Sequence, residues 1–407
     1  MLTREENELL CRVGPGTPMG EFMRQFWVPA LRSQRLEADG APVRVQLLSQ
    51  NLVAFRATDG RVGVFDEGCP HRCTSLALAR NEDNALTCIF HGWKIDVSGK
   101  VVDVPSEPPE RRAEFAAKVR VAHYPVREAA GIVWVWLGKG EQPAEFPNYN
   151  WINLPPGHTR VRIGLVNSNW LQGLEGQLDS AHVGILHQDW INPRSTTPVG
   201  RRMGNVGYDT SPRFEFEMQP YGYREAAVRN MPDGSHYVRV REYVMPWFSY
   251  IPHGGRDIDQ NVTISVPVDD EHSAQWDVNY NLERPLGQAP AGVGFDQPDN
   301  YATHIGNFDN HFNQNRKSMK EGSWSGFSSV RHEDFAVAVA QGVICDRTRE
   351  YLGTSDSSII RARRLLLESV RRFMKGEPVF KQPIDWNVIR ALDEVIPADA
   401  DWRALQR

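Results

Sequence analysis

Cys69-Pro70-His71-Arg72-Cys73 and Cys88-Ile89-Phe90-His91-Gly92-Trp93 are the stretches from which the rest of the chain is read. They form a C-x-H pair and, after sixteen intervening residues, a C-x-x-H pair. Two thiolates and two imidazoles at this spacing suit a [2Fe-2S] cluster in which two Cys hold one iron and two His the other. A closed tetrahedral zinc site uses the same four side chains, so both readings stand at this point. Pro70 and Gly92 point to two tight loops with exposed tips, as an electron-transfer cluster needs.

At 407 residues the chain is too long for one ordinary core, and two domains are expected. Hydrophobic and charged contents of 41% and 24% are those of a soluble globular protein. A net charge of −5 without runs of like charge speaks against a nucleic-acid partner. The acidic start from Met1 to Glu8 lacks the apolar stretch of a secretory signal, and no window reaches the length of a membrane span. A cytoplasmic protein with no membrane partner is expected. Five cysteines, an odd number without framework spacing, argue against a disulfide scaffold and for metal chemistry in a reducing compartment. Cys11 and Cys345 read as small buried side chains.

Residues 1–40 read as an N-terminal helical arm, broken at Gly14-Pro15-Gly16-Thr17-Pro18 and resumed as a helix from Met19 to Trp27. Residues 41–150 read as an all-β domain. Short Val/Leu/Phe runs at 43–48, 52–56 and 62–65 are strands, Asp59-Gly60 is a hairpin turn, and the two ligand-bearing stretches fall in loops. The Pro-rich segment 141–157 is a linker. Residues 151–407 read as an α+β domain with strands at 214–217, 237–243, 262–268 and 275–280 and helices at 167–184, 332–341 and 357–374.

A second set of metal-capable side chains lies in Glu175-Gly176-Gln177-Leu178-Asp179-Ser180-Ala181-His182-Val183-Gly184-Ile185-Leu186-His187. Glu175, Asp179 and His182 stand at i, i+4 and i+7 and would share one helix face. His187 would point about 140° away on an ideal helix, so a π-bulge or a helix end near Gly184 is needed to bring both imidazoles to one ion. Two His and one carboxylate with open positions make the facial triad of non-haem Fe(II) oxygenases. Spacing leaves the carboxylate open among Asp179, Glu175 and the Glu333-Asp334 pair. That pair heads a helix with Ala336, Ala338 and Ala340 below it, small residues that allow close packing. An alternative role for it is to complement the helix dipole.

With these blocks in view, the sequence resembles the Rieske non-haem iron oxygenases, specifically catalytic subunits of the phthalate dioxygenase type. The resemblance spans nearly the whole chain and includes Asn169-Trp170 and Gln341-Gly342-Val343-Ile344-Cys345-Asp346-Arg347. It implies an N-terminal Rieske domain and a C-terminal helix-grip catalytic domain, an antiparallel sheet flanked by helices. It implies that Cys69, His71, Cys88 and His91 hold the cluster, and that His182, His187 and Asp334 hold a mononuclear Fe(II) that binds O2. Asp179 would bridge His182 to the partner subunit's His91, which implies a head-to-tail ring, a trimer or a dimer of trimers. Cys73 departs from the small residue, commonly Gly, that relatives carry there.

No G-x-G-x-x-G opens a helix and no further cysteine set could bind a second cluster, so electrons from NADH would come through a separate flavin and ferredoxin-type reductase. Arg201, Arg202, Arg239 and Arg241 are candidates to bind a substrate carboxylate, with Arg239 and Arg241 on one face of a strand. Cis-dihydroxylation of an aromatic carboxylic acid, of the phthalate or phenoxybenzoate class, is the expected reaction. Monooxygenation or O-demethylation of an aryl ether acid is the alternative. A Rieske electron carrier without catalysis and a zinc-stabilised binding protein are the readings from other classes.

Overall fold

A computed structural model describes residues 1–139, 144–196, 198–253, 259–287 and 305–405. Two units result, one of residues 1–12 with 147–407 and the other of residues 13–146. The expected helical arm is therefore divided. Its first helix, α1 (Arg4–Cys11), is started by a capping box between Thr3 and Glu6 and goes with the larger unit. The break at Gly14–Pro18 precedes α2 (Pro18–Met23), capped by Thr17, and Trp27–Arg32 is a strand, β1, rather than the end of a helix. Residues 141–143 of the expected linker lie outside the described residues.

In the smaller unit, β2 (Val43–Leu47), β3 (Gln50–Arg56) and β4 (Val62–Asp66) make one antiparallel sheet. The turn between the last two contains Gly60 at φ 87°, as the Asp59-Gly60 signal predicted. A four-stranded sheet follows from β5 (Arg80–Glu82), β6 (Ala85–Thr87), β7 (Lys94–Asp96) and β8 (Val101–Asp103). After α3 (Pro109–Lys118), β9 (Val126–Ala129) and β10 (Ile132–Trp136) pair with β1 in the order β1-β10-β9. The core beneath the cysteine loops joins Val53, Phe55, Phe65, Leu76, Leu86, Trp93 and Ile95 with Cys69 and Cys88. This packing fixes the roots of both loops while their tips stay outside.

The larger unit is built on an eight-stranded antiparallel sheet in the order β11-β17-β16-β15-β14-β13-β12. Its strands are β11 (Thr159–Val166), β12 (Arg213–Gln219), β13 (Gly222–Asn230), β14 (His236–Val244), β15 (Phe248–Ile251), β16 (Gln260–Pro267), β17 (Ser273–Tyr280) and β18 (Leu392–Ile396), the last paired with β14 beside β15. Helices α4 (Trp170–Leu178), α5 (Pro198–Met203), α6 (Arg316–Lys320), α7 (Val330–Ala340) and α8 (Ser357–Phe373) accompany it. α8 buries Ile359, Ala362, Leu366 and Val370, a stripe at helical spacing. One face of β13 and β14 is apolar, with Ala226, Val228, Val238 and Val240 packed on Leu392, Ile396 and Trp402. Alternation then puts Glu225, Arg229, Arg239 and Arg241 on the other face, and all four are buried. The N-terminal β domain and the antiparallel sheet with helices are the fold class expected from the sequence.

Candidate metal centres

The two cysteine loops share one backbone pattern. Cys69 N–H bonds to Thr74 O at 2.8 Å and Cys73 N–H to Cys69 O at 2.9 Å; Cys88 N–H bonds to Trp93 O and Gly92 N–H to Cys88 O, both at 2.9 Å. Cys73 and Gly92 are thus equivalent positions, and both are left-handed, at φ 57° and φ 75°. At Gly92 a Cβ would also sit 2.7 Å from Pro105 Cγ. This backbone suits glycine at position 73, because a non-glycine residue adopts it only with strain.

His71 and His91 face each other with ring centroids 4.5 Å apart, and Trp93 stacks on His71 at 4.6 Å. Nδ1 of each imidazole is buried without a hydrogen-bond partner among the described residues. A buried ring nitrogen in that condition calls for a partner of another kind, and a metal ion supplies one. Burial pushes the Cys69 thiol up to about 11, with Cys88 beside it adding to the shift. A thiol so raised becomes a thiolate only against a strong local positive charge, which ferric iron provides. The donor set therefore fits a [2Fe-2S] cluster with two sulfur and two nitrogen ligands. Ile89 and Phe90 at the second tip are more than half exposed.

In the larger unit α4 stops at Leu178, and Asp179 leaves the helix at φ −84°, ψ 116°. The expectation of Glu175, Asp179 and His182 on one helix face fails for this reason. Glu175 turns the other way, into a buried ion pair with Arg347 at 3.0 Å and Arg363 at 2.6 Å. Past the helix end, Asp179 Oδ1 accepts the N–H groups of Ala181 and His182 at 2.7 and 3.3 Å. Its Oδ2 lies 3.3 Å from His182 Nδ1. A short 3-10 turn, His182–Gly184, then carries the chain to His187.

His182 Nε2 and His187 Nε2 stand 3.7 and 3.1 Å from Asp334 Oδ1. Ligand atoms of these three residues lie within 4.8 Å of one another, a group able to hold a metal ion. Burial would raise the Asp334 carboxyl, but His187 and His182 override it and hold it near 2, so it is an anion at neutral pH. Asp334 arrives on α7, whose buried Ala336 and Ala338 permit the close approach anticipated from their size. Gln172 on α4 sets the spacing: its Nε2 donates to Ala338 O at 2.9 Å and Gly342 O at 2.8 Å, and its Oε1 accepts Cys345 N–H at 2.9 Å.

The four candidate arginines separate. Arg201 and Arg202 are exposed on α5, Arg201 donating to Ser195 O and Thr196 O. Arg239 and Arg241 are buried, with 1% and 3% exposure, rather than solvated. Arg241 donates to Leu178 O and lies 3.6 Å from Glu225. Arg229, on the same face, donates to Ser180 O at 2.7 Å. Two cations thus satisfy carbonyls around the end of α4 and brace the turn at Asp179. Arg239 donates to Pro252 O from Nη2, while its buried Nε and Nη1 have no hydrogen-bond partner among the described residues. Arg229 was not anticipated; the period-two pattern after Gly222 marks it, but charges on both faces of β13 hide the strand.

Comparison with known proteins gives a consistent result. The Rieske [2Fe-2S] domain family matches residues 26–125, and the family described as LigXa C-terminal domain like matches residues 135–407. The chain is 38% identical to the phthalate 4,5-dioxygenase oxygenase subunit of Pseudomonas putida, over all of this chain and 95% of that one. It is 37% identical to the 3-chlorobenzoate-3,4-dioxygenase oxygenase subunit of Comamonas testosteroni, over 91% of this chain and 89% of the relative. Among solved structures, a mutant of NdmA from Pseudomonas putida CBB5 with caffeine aligns at a TM-score of 0.61 and 20% identity, covering 95% of this chain and 100% of that one.

Proposed function

As a member of the Rieske-type aromatic ring-hydroxylating oxygenases, the chain is a terminal oxygenase subunit working with a [2Fe-2S] cluster, a mononuclear iron and O2, and we propose that it cis-dihydroxylates an aromatic carboxylic acid. The observation that carries the reading is a single chain holding both donor sets: the paired, unsatisfied Nδ1 atoms of His71 and His91, and the convergence of His182, His187 and Asp334. In it, Cys69, His71, Cys88 and His91 hold the cluster and His182, His187 and Asp334 hold the iron. When bound, the cluster supplies electrons one at a time and the iron supplies O2 activation at positions the triad leaves open.

The protein's own groups do the rest. Asp179 is an anion: burial pushes its carboxyl up, but the His182 imidazole and two backbone N–H groups hold it below its ordinary value. It orients His182 from within the chain. Its side chain is one-quarter exposed, which leaves an edge for the partner subunit's His91 in a head-to-tail ring, a trimer or a dimer of trimers. Arg239, with two spare buried donors, is the candidate best suited to a substrate carboxylate; Arg241 already serves Leu178 and Glu225. Arg201 and Arg202 remain candidates from the exposed helix. The substrate class also follows the relatives, which are named for phthalate and 3-chlorobenzoate.

Two measurements test this. Metal and acid-labile sulfide analysis should find about three irons per chain; zinc without sulfide would overturn the reading. Reconstitution with a flavin and ferredoxin-type reductase and NADH, with phthalate isomers, phenoxybenzoates and methoxybenzoates, should give O2 uptake coupled to a product bearing both atoms of O2. Products with a single added oxygen, or formaldehyde from the methoxybenzoates alone, would replace dihydroxylation with monooxygenation or O-demethylation.

A further inference from the structure

We propose that Glu333, itself held by Ser325, is the positioning residue for His187: it sets the ring's orientation and keeps its proton on Nδ1, leaving Nε2 as the ligand atom. The proposal rests on the reading that His182, His187 and Asp334 hold iron, and it gives a role to a carboxylate outside that ligand set.

Glu333 has no solvent exposure. A lone carboxylate in that position is strongly unfavourable unless its oxygens are paired. Both are. Oε2 lies 2.6 Å from His187 Nδ1, and Oε1 accepts the Ser325 hydroxyl. An imidazole that ligates a metal keeps one N–H, and Glu333 offers an acceptor oxygen at Nδ1, so with an ion held this contact would leave that proton on Nδ1. Nε2 is then the lone-pair nitrogen, on the side where Asp334 Oδ1 stands 3.1 Å away. The ring is gripped by successive residues of α7, Glu333 behind it and Asp334 in front. One helix therefore delivers the acidic ligand and orients an imidazole ligand with the same turn.

His182 has the corresponding arrangement, Nδ1 toward Asp179 and Nε2 toward Asp334. The two supports differ in access. Asp179 is one-quarter exposed, whereas Glu333 is sealed. Asp179 is free to act outward as well, while Glu333 has partners on both oxygens and acts on His187 alone.

Glu333→Gln separates orientation by charge from packing, because the amide keeps the shape and one acceptor oxygen, exchanges the other for an NH2 donor, and loses the charge. The full-length protein with its cluster intact is depleted of mononuclear iron and titrated with Fe(II) against a chelator. Glu333→Gln should keep the cluster absorption and far-ultraviolet circular dichroism of the parent while weakening Fe(II) affinity about ten- to hundredfold. Ser325→Ala, which removes the brace and the acceptor of the Phe327 N–H, should weaken it to a smaller degree. Parent-like Fe(II) affinity in Glu333→Gln would overturn the proposal. Should Glu333→Gln not fold, Ser325→Ala decides, and parent-like affinity there overturns it equally. Failure of the parent itself to take up Fe(II) beyond the cluster would instead overturn the functional reading on which the proposal rests.

Discussion

Replacing Glu175 by Gln should cost the larger unit much of its stability while leaving its iron in place. Glu175 is the shared counter-ion of two buried guanidiniums. Arg347 reaches it through Nε and Nη2 at 3.0 Å each, and Arg363 through Nε at 2.6 Å. After the substitution Arg363 keeps Glu350, at 2.6 and 2.9 Å. Arg347, with a side chain 0% exposed, keeps only neutral partners in Asn7, Cys11 and Cys345. Leaving one buried charge uncompensated costs about 3–5 kcal/mol, and the low end applies because Gln retains an acceptor oxygen. With an m-value of about 3 kcal/mol/M, the urea midpoint should fall by about 1 M, followed by far-ultraviolet circular dichroism. Adding Arg347→Met should restore most of the loss, since the unpaired charge leaves with it. Burial pushes the Glu175 carboxyl up, but Arg347 and Arg363 override it and hold it below the ordinary value. A lowered folded-state pKa contributes stability that is fully present above about pH 4.3 and is lost as pH falls through the folded value, so parent and variant should converge in acid. A midpoint shift below about 0.3 M would refute the ion-pair argument. Loss of iron without loss of stability would return Glu175 to the list of ligands.

Two further outcomes follow from the sites. Asp179→Asn should retain the cluster colour and the full iron content yet lower turnover about ten- to hundredfold, because it weakens the support of His182 and the bridge proposed between the metals; unchanged turnover would sink that bridge. Cys73→Gly exchanges a left-handed non-glycine residue, at a cost of about 1–2 kcal/mol, for a backbone-entropy cost of about 0.5–1 kcal/mol. The temperature at which cluster absorption is lost should hold or rise by a few degrees, and a clear fall would show that the Cys73 side chain is needed.

The division between sequence and structure falls along the range of the interactions. Local signals were enough for the ligand-bearing loops, the hairpin at Asp59-Gly60, half the strands of the large sheet and the helices α7 and α8, because turn chemistry and hydrophobic period act over a few residues. The His182 and His187 pair was legible for the same reason. Strands β11, β13, β15 and β18 were not anticipated; in β13 and β18, Arg224, Glu225 and Arg229 and then Asp393-Glu394 break the apolar pattern. Their charges are tolerated only where partners from distant segments meet them, such as Ser180 past the end of α4 for Arg229 and Tyr237 for Asp393. The fate of the four acidic candidates was undecidable for the same reason. The early stop of α4 at Leu178 sends Glu175 to Arg347 and Arg363 and Asp179 toward His182; the packing of α7 against α4 through Gln172 presents Asp334 to both imidazoles and Glu333 to the back of one. The amino-acid order by itself determined which side chains were available to hold metal. Which carboxylate meets which imidazole was decided only by tertiary structure, because a hydrogen bond is made or lost over about an ångström and no spacing rule reaches across more than a hundred residues with that accuracy.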